Sequence, residues 1–307
     1  MNESEFDTLL TAMSVAVESF SAVKIEGGRW LAGSHAQGME IHYVLEGRMS
    51  LKAPHQPEMV CGAGTLVLLP PGMERTIGAV SGAGFGSGEG LLLASGVIEA
   101  RVSSGFGLLD SMPGPLAEDL ADLPVIRESC RLILAELDGA VHGSRVLANS
   151  LMKVCIVALL RRARAGSRPG TGMFGALHDP RLGRAIAAVI GNPAAPHSVS
   201  SLAGAASMSR SAFAREFAAN LAMTPMAFVA RTRLQQGADL LSGTRLPVKM
   251  IAANIGFASR SHFSRAFSAA YGADPSSFRR AGLRPDRADA ARRAIMSRPP
   301  LSYVGER

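Results

Sequence analysis

Apolar positions change their spacing several times along the chain, and each change predicts a change of element. Residues 3–20 carry an amphipathic spacing that reads as a short helix. From 29 to 102 the apolar runs shorten. MEIHYVLEG (39–47), RMSLKA (48–53) and GTLVLLPPG (64–72) alternate or are wholly apolar, with Gly and Pro between them. Runs of that length and punctuation predict antiparallel strands of a small barrel or a double sheet. GTLVLLPPG fits a strand buried on both faces and then stopped by two prolines, which have no N–H to continue a ladder. SGAGFGSGEG (81–90) reads as a flexible turn.

Helical spacing returns over 115–164, in PLAEDLADL, ESCRLILAELDGAV and RVLANSLMKVCIVALLRRARA, the first of which can hold a turn in place of a full helix. An apolar stripe of Leu147, Leu151, Val154 and Ala158 can dock on the sheet or pair with the same stripe of a second chain. RRARAGSRPG (161–170) reads as an exposed linker. A new helix begins at Asp179-Pro180, a cap followed by proline at the first helical position.

Beyond 200 one segment is written twice, LAGAASMSRSAFAREF (202–217) and IAANIGFASRSHFSRAF (251–267). Leu202 matches Ile251 and Met208 matches Phe257. After one extra residue, Ala258, Ser209-Arg210-Ser211 falls on Ser259-Arg260-Ser261, Phe213 and Phe217 on Phe263 and Phe267, and Pro225 on Pro275. Each copy predicts two short helices meeting at a turn, with Ser209 or Ser259 as N-cap of the second. Phe213 and Phe217 share a buried face of that second helix, whereas Arg210, Ser211, Ala214 and Arg215 fall mostly on others, as do Arg260, Ser261, Ser264 and Arg265. That is the layout of a helix-turn-helix, in which the second helix enters the major groove of duplex DNA. For a single arginine a solvated surface is an equal reading. Repetition at matched helical positions favours DNA.

Charge sharpens this. Residues 196–307 carry 16 Lys or Arg against 6 Asp or Glu, and residues 1–160 carry 10 against 18, so the net +7 conceals a chain of two signs. The basic part attracts phosphates and the acidic part is repelled by them. Cys61, Cys130 and Cys155 show no close pair or metal-like spacing, which points to a reducing, cytoplasmic setting. No apolar run, LMKVCIVALL (151–160) included, reaches a membrane-spanning length, so no membrane role is expected.

Residues 179–280 resemble the AraC/XylS family DNA-binding domain, through LA…MSRSAFAREF, TPMAFVARTRLQQGADLL (224–241) and VKMIAANIGFASRSHFSRAFSAAYGADPSSFRR (248–280). The resemblance implies two helix-turn-helix units joined by a linker helix over 226–241, with Phe228, Leu234, Leu240 and Leu241 inward. It places the base-reading positions at Arg210, Ser211, Ala214 and Arg215 in the first unit and at Arg260, Ser261, Ser264 and Arg265 in the second. Two departures stand out. Ser207 occupies a turn where the family usually has glycine, as the second copy does at Gly256, and serine is strained there if φ is positive. Gly237 replaces the usual small alanine, at about 1 kcal/mol of helix propensity.

The N-terminal half is similar to the cupin-type effector domain of one branch of that family, through MEIHYVLEG, GTLVLLPPG and the HDPRLGRAI start at 178. The implied architecture is two-domain α+β, an N-terminal cupin-like β-barrel with accessory helices and a C-terminal all-α double helix-turn-helix. The expected domains are 1–165 for effector sensing and dimerisation, 166–178 as linker, 179–280 for DNA, and a basic tail over 281–307. His35, His42 and Glu46 do not complete a metal set, since Glu74 and Arg75 stand where the branch commonly has a histidine. Neither metal nor cofactor is therefore expected. Trp30, His35, His42, Tyr43 and Arg75 are the candidate contacts for a small, mainly apolar effector.

The sequence thus predicts a sequence-specific DNA-binding transcriptional regulator, not an enzyme, whose barrel senses a small molecule. One alternative is a constitutive regulator whose barrel only dimerises. The other is a metal-dependent cupin enzyme fused to a DNA-binding domain. Double-stranded DNA and the effector are the main expected partners, with RNA polymerase and a second copy of the chain as further candidates.

Overall fold

The computed structural model describes residues 3–34, 38–80, 90–102, 106–107, 112, 114–139, 141–165 and 179–282. The chain divides into two compact units, one drawn from Ser14–Arg101 and Gly107–Phe174, the other from Met1–Met13, Val102–Phe106 and Gly175–Arg307. The anticipated turn at 81–90 falls outside the described residues apart from Gly90, as do the linker over 166–178 and the basic tail beyond 282.

The expected helix over 3–20 is shorter than its apolar pattern. Helix α1 (Glu3–Thr11) stops, and Met13–Ile25 forms strand β1. Met13, Val15 and Val17 are buried while Ser14, Ala16 and Glu18 are exposed, so the spacing from 13 onward is the period of two of a half-buried strand.

In the first unit β1 is followed by β2 (Trp30–Gly33), β3 (Met39–Glu46), β4 (Arg48–Lys52), β5 (Met59–Gly62), β6 (Thr65–Leu69), β7 (Arg75–Ala79), β8 (Leu91–Val102), the two-residue β9 (Phe106–Gly107) and β10 (Leu116–Asp119). One sheet runs β1-β8-β3-β6-β10 with β9 beside β8, and the other runs β2-β7-β4-β5. Leu116–Asp119, expected to be a turn or helix, pairs antiparallel with β6, Leu116 opposite Leu68.

These sheets do not close, which corrects the barrel implied by the cupin resemblance. Among the described residues no ladder joins the outer strands of one sheet to those of the other. Successive strands switch sheets at tight corners, β3 into β4 at Gly47, β5 into β6 at Gly64, and β6 into β7 through Pro70 and Pro71. The outer strands β2 and β5 have four residues each, about 13 Å of chain, so each ends before a second ladder can form. The result is a double sheet, the other architecture that the strand pattern allowed.

Between the sheets lies one apolar cluster that includes Val44, Met49, Leu51, Val67, Leu69 and Ile77. Leu66, Val67, Leu68 and Leu69 are all essentially inaccessible, as expected for a strand covered on both faces. Helices α2 (Pro124–Gly139) and α3 (Ser144–Ala165) pack against each other, and α3 also meets β10. The stripe Leu147, Leu151, Val154 and Ala158 is not the docked one. Ala148, Met152, Cys155, Ile156 and Leu159 are buried instead, and Leu147 and Val154 remain exposed.

The second unit contains α1, α4 (Pro180–Gly191), α5 (Val199–Ala205), α6 (Arg210–Leu221), α7 (Pro225–Gly243), α8 (Val248–Asn254), α9 (Arg260–Tyr271) and α10 (Pro275–Gly282). Helix α1 buries Phe6, Leu9 and Leu10 and packs on α4. Helix α4 begins where its sequence requires, with Asp179 accepting from the Arg181 N–H and Pro180 in the first turn.

The corner at Gly64 depends on a missing side chain. Its φ is +91°, and a Cβ there would stand 2.5 Å from Ala121 Cβ and 2.7 Å from Ala121 Cα. Gly72 also has positive φ, +74°, but open space around it. Gly72→Ala is therefore expected to cost about 1 kcal/mol of backbone strain, and Gly64→Ala about 1–3 kcal/mol more through overpacking. Urea unfolding of both variants checks this, and equal losses would contradict the steric argument.

Candidate nucleic-acid interface

The duplicated segments fold as two alike heads. Ser209 accepts a hydrogen bond from the Ala212 N–H at the start of α6, and Ser259 one from the His262 N–H at the start of α9. Under α6, Phe213 and Phe217 are buried, with Phe217 edge-on to Phe228 of α7 at 5.6 Å. Under α9, Phe263 and Phe267 are buried, with Phe267 edge-on to Phe278 of α10 at 5.2 Å. Helix α7 runs from Pro225 to Gly243, slightly longer than expected, and buries Phe228, Leu234 and Leu241 while Leu240 is half-buried.

With those rings inward, Arg210, Ser211 and Arg215 of α6 are exposed and Ala214 is half-buried. Arg260, Ser261 and Arg265 of α9 are exposed and Ser264 is half-buried. The eight predicted positions therefore form two matched strips, each at the N-terminal end of its helix. Arg215 lies 3.3 Å from Glu216 in a largely exposed pair, too solvated to hold the guanidinium back from a ligand. His262, absent from the predicted set, is also exposed, and its ring packs edge-on against Phe257 at 5.4 Å.

The turns differ as their sequences suggest. Ser207 sits at φ +56° and Gly256 at +81°. Serine in the left-handed region costs on the order of 1 kcal/mol. Arg184 braces that turn, its Nε donating to Ala205 O at 2.8 Å and its Nη2 to Ala206 O at 3.2 Å. The substitution at 237 has a packing reason, since a Cβ there would stand 2.9 Å from Phe263 Cε2 and 3.0 Å from Ile255 Cδ1.

Sequence reasoning overlooked the arginines that hold this unit together, although the repeat marks two of them. The shift from Leu202 to Ile251 is 49 positions, and the same shift carries Arg184 to Arg233 and α5 onto α8. Arg279 of α10 is a third, bonding Leu241 O at 3.3 Å and Leu246 O at 2.5 Å.

In the first unit the candidate effector contacts are dispersed. His42 is buried on β3, and Tyr43, next along the strand, faces away from it and is also buried. Burial and the nearby Cys130 push the Tyr43 phenol up. Trp30 is 45% exposed, with Lys52 Nζ 4.6 Å from its ring centroid. Arg75 on β7 reaches across to Glu40 on β3, its Nε donating to Glu40 Oε2 at 2.9 Å and its Nη2 standing 2.5 Å from the same oxygen as an ion pair. His35 lies outside the described residues.

Glu40 was not singled out from sequence, yet it centres a buried polar cluster. His42 Nε2 stands 3.4 Å from Glu40 Oε2, within electrostatic reach but without hydrogen-bond geometry, and His42 Nδ1 lies 2.9 Å from Ser95 Oγ. Burial pushes the Glu40 carboxyl up, but His42 and the Arg75 guanidinium outweigh it and hold the carboxyl below its ordinary value. The period of two could have placed Glu40 on the face of His42 and Val44; only the second sheet supplies Arg75.

Beside Arg75 a recess of about 440 Å³ is lined by Gly33, Lys52, Pro54, Glu74 and Thr76 among others. Another, about 590 Å³, lies between β1 and α2 at Phe20, Ala22, Leu134 and Leu137. Among the described residues no three His, Cys, Asp or Glu side chains gather as metal ligands, and no helix is long and apolar enough to cross a membrane. The cysteines, by contrast, include a pair that their sequence separation hides. Cys130 of α2 and Cys155 of α3 lie beside each other across the hairpin, both buried, and that neighbour together with burial holds the Cys130 thiol far above its ordinary value.

Comparison with known proteins matches residues 6–165 to the family described as Cupin and residues 202–281 to the Helix-turn-helix domain. The chain is 33% identical over 173 residues to an uncharacterized HTH-type transcriptional regulator of Haemophilus influenzae, covering 56% of this chain and 58% of that one. It is 29% identical to the HTH-type transcriptional regulator MtrA of Neisseria gonorrhoeae, covering 64% and 65%. It is 27% identical to the RCS-specific HTH-type transcriptional activator RclR of Escherichia coli, covering 78% and 83%. The chain thus spans less than two thirds of the first two relatives.

The buried cluster yields a test with a defined sign. A carboxyl whose folded value is lowered contributes stability that is complete above its unfolded value and is lost as pH falls through the lowered one. Glu40→Gln leaves Arg75 without its partner and is expected to cost about 3 kcal/mol at neutral pH. That deficit should narrow as acidification protonates the wild-type carboxyl. Urea unfolding at pH 7 and pH 4 measures it, and a deficit that does not change with pH would rule the ion pair out as its source.

Proposed function

The chain belongs to the AraC/XylS-type helix-turn-helix regulators with an N-terminal cupin domain, and from that premise we propose that it binds specific duplex DNA sites and regulates transcription in response to a small molecule. The observation that carries the DNA assignment is the pair of matched strips, Arg210, Ser211, Ala214 and Arg215 on α6 and Arg260, Ser261, Ser264 and Arg265 on α9. Each is presented by a serine-capped helix whose opposite face is pinned by two phenylalanines. An exposed arginine at a helix N-terminus offers a fork for guanine O6 and N7, and a serine hydroxyl serves base or phosphate. Residues 179–280 carry this task. The second strip carries more of the polar readout, because Ala214 offers the first only an apolar contact.

Effector sensing falls to the N-terminal unit. Its space between the sheets is filled by apolar side chains and the Glu40–His42–Arg75 cluster, so the two recesses described above are candidate sites. The one at Phe20, Leu134 and Leu137, with Ser21 and Asp138 also in its wall, suits a small, mainly apolar molecule that carries one or two polar groups. The one at Arg75 also has Lys52 in its wall, whose ammonium lies 4.6 Å from the centroid of the Trp30 ring. For an effector to act on DNA binding it must bind one arrangement of the protein better than another. The exposed Leu147 and Val154 of α3 support a second copy of the chain as partner, and with it the alternative of a constitutive regulator whose N-terminal unit only dimerises. RNA polymerase is the partner that activation would require.

Arg260→Ala and Arg265→Ala are each expected to weaken binding to a selected DNA site by about 1–3 kcal/mol while changing binding to unrelated duplex less. Titration of both duplexes by fluorescence anisotropy reads this, and equal losses on the two would demote these arginines to phosphate contacts. A panel of small apolar molecules should contain at least one that raises the melting temperature and shifts affinity for the selected site. A panel that shifts neither supports the constitutive reading.

A further inference from the structure

The two heads repeat each other, but their matching arginines do different jobs. Arg184, on α4, bonds within its own head, to the carbonyls of Ala205 and Ala206 and, at 3.5 Å, to the Ser207 hydroxyl, whose repeat is Gly256. If Arg233 on α7 repeated it at the 49-residue shift, it would hold the carbonyls of Asn254 and Ile255. Instead its three nitrogens diverge. Nη1 donates to Gly256 O at 3.0 Å in the turn of the second head, while Nε donates to Pro193 O and Nη2 to Ala195 O, both at 2.8 Å, in the loop before the first head's α5.

The backbone is fitted to the same junction. Gly256 lies against the first head's loop so closely that a Cβ would stand 2.7 Å from Ala194 O and 2.9 Å from Ala194 Cα. That loop is itself held, with the Ala195 N–H bonded to Asn192 O at 3.2 Å and His197 Nε2 at 2.8 Å from the same oxygen. Burial lowers the affinity of Arg233 for its proton, and the guanidinium donates to three main-chain carbonyls. A planar guanidinium with fixed donor directions can satisfy three carbonyls from two segments in only a narrow range of relative positions. Turning either head about α7 would break at least one of these bonds.

We infer that Arg233 is a positioning residue that locks the first head to the turn of the second, and so sets the spacing and phase of the two DNA segments that α6 and α9 can read together. The inference rests on the two-headed DNA reading above. Arg233 needs no contact with DNA in this role. Rotation of B-DNA by about a tenth of a turn per base pair makes even a one-pair insertion a test of rigid phasing.

The test uses the full-length protein and a bipartite duplex site selected from a random pool, rebuilt with one or two base pairs inserted or removed between its segments. Wild-type affinity is expected to fall about tenfold or more on altered spacing, comparable to the loss of one base-specific contact. Arg233→Met keeps an apolar stem and removes the donors. It should bind the native spacing somewhat more weakly and flatten the spacing dependence to less than about threefold, with the salt slope unchanged because no phosphate contact is lost. Arg184→Met, which removes a brace inside one head, should keep the wild-type spacing dependence. Arg233→Lys, which can reach fewer of the carbonyls, carries the test if the methionine variant does not fold. An Arg233 variant with the wild-type ratio between native and altered spacing overturns the inference. A wild-type protein that selects no site, or protects a single groove segment, overturns the two-headed reading instead.

Discussion

A helix of seven residues cannot hold itself together in water, and that constraint shapes the whole C-terminal unit. Helices α5 and α8 each have seven residues, too few for the hydrogen bonds of two turns to offset the ordering of the chain. They persist because Leu202 and Ala203, and likewise Ile251 and Ala252, are buried against longer neighbours. Those neighbours present pairs of phenylalanines four residues apart, and α7 contributes to both heads. Burying one side of α6 and α9 so completely orients the other. Arg210 and Arg260 are exposed because Phe213 and Phe263 are not.

The N-terminal unit solves a different problem. Its two sheets share an apolar interior, yet Glu40 and His42 lie within it. A buried carboxylate is tolerable only with hydrogen-bond donors and a counter-charge. Arg75 supplies both from the facing sheet, so an ion pair joins sheets that no backbone ladder connects among the described residues. It also leaves the arginine largely occupied, so less of its charge is free for a ligand in the recess beside it.

Helical elements with strong caps were legible from sequence. Asp179-Pro180, Ser209 and Ser259 begin their helices as written, because an N-cap is satisfied within three residues and needs no distant partner. The errors lie where local pattern is ambiguous. Residues 13–20 and 116–119 carry apolar spacing that suits a short helix or a strand, and only a neighbouring strand decides between them. The barrel was a matter of closure, which depends on whether edges meet and not on which strands exist. Cys130 and Cys155 are 25 residues apart and meet because α2 and α3 pair along their length.

From the sequence alone came the duplication, the opposite charge of the two halves, the caps, and the eight candidate positions on the recognition helices. All are short-range or compositional properties, and the amphipathic period suffices to point a side chain outward. Only the tertiary structure decided that the sheets stay open, that Glu40 is answered by Arg75, and that Arg233 faces three carbonyls from two heads. Each of those outcomes depends on residues 23 to 40 positions apart or on strand edges meeting in space. The duplication, whose copies already differ in sequence at Ser207 and Gly256, therefore shows a further asymmetry only in three dimensions, where one arginine braces its own turn and its repeat joins the two.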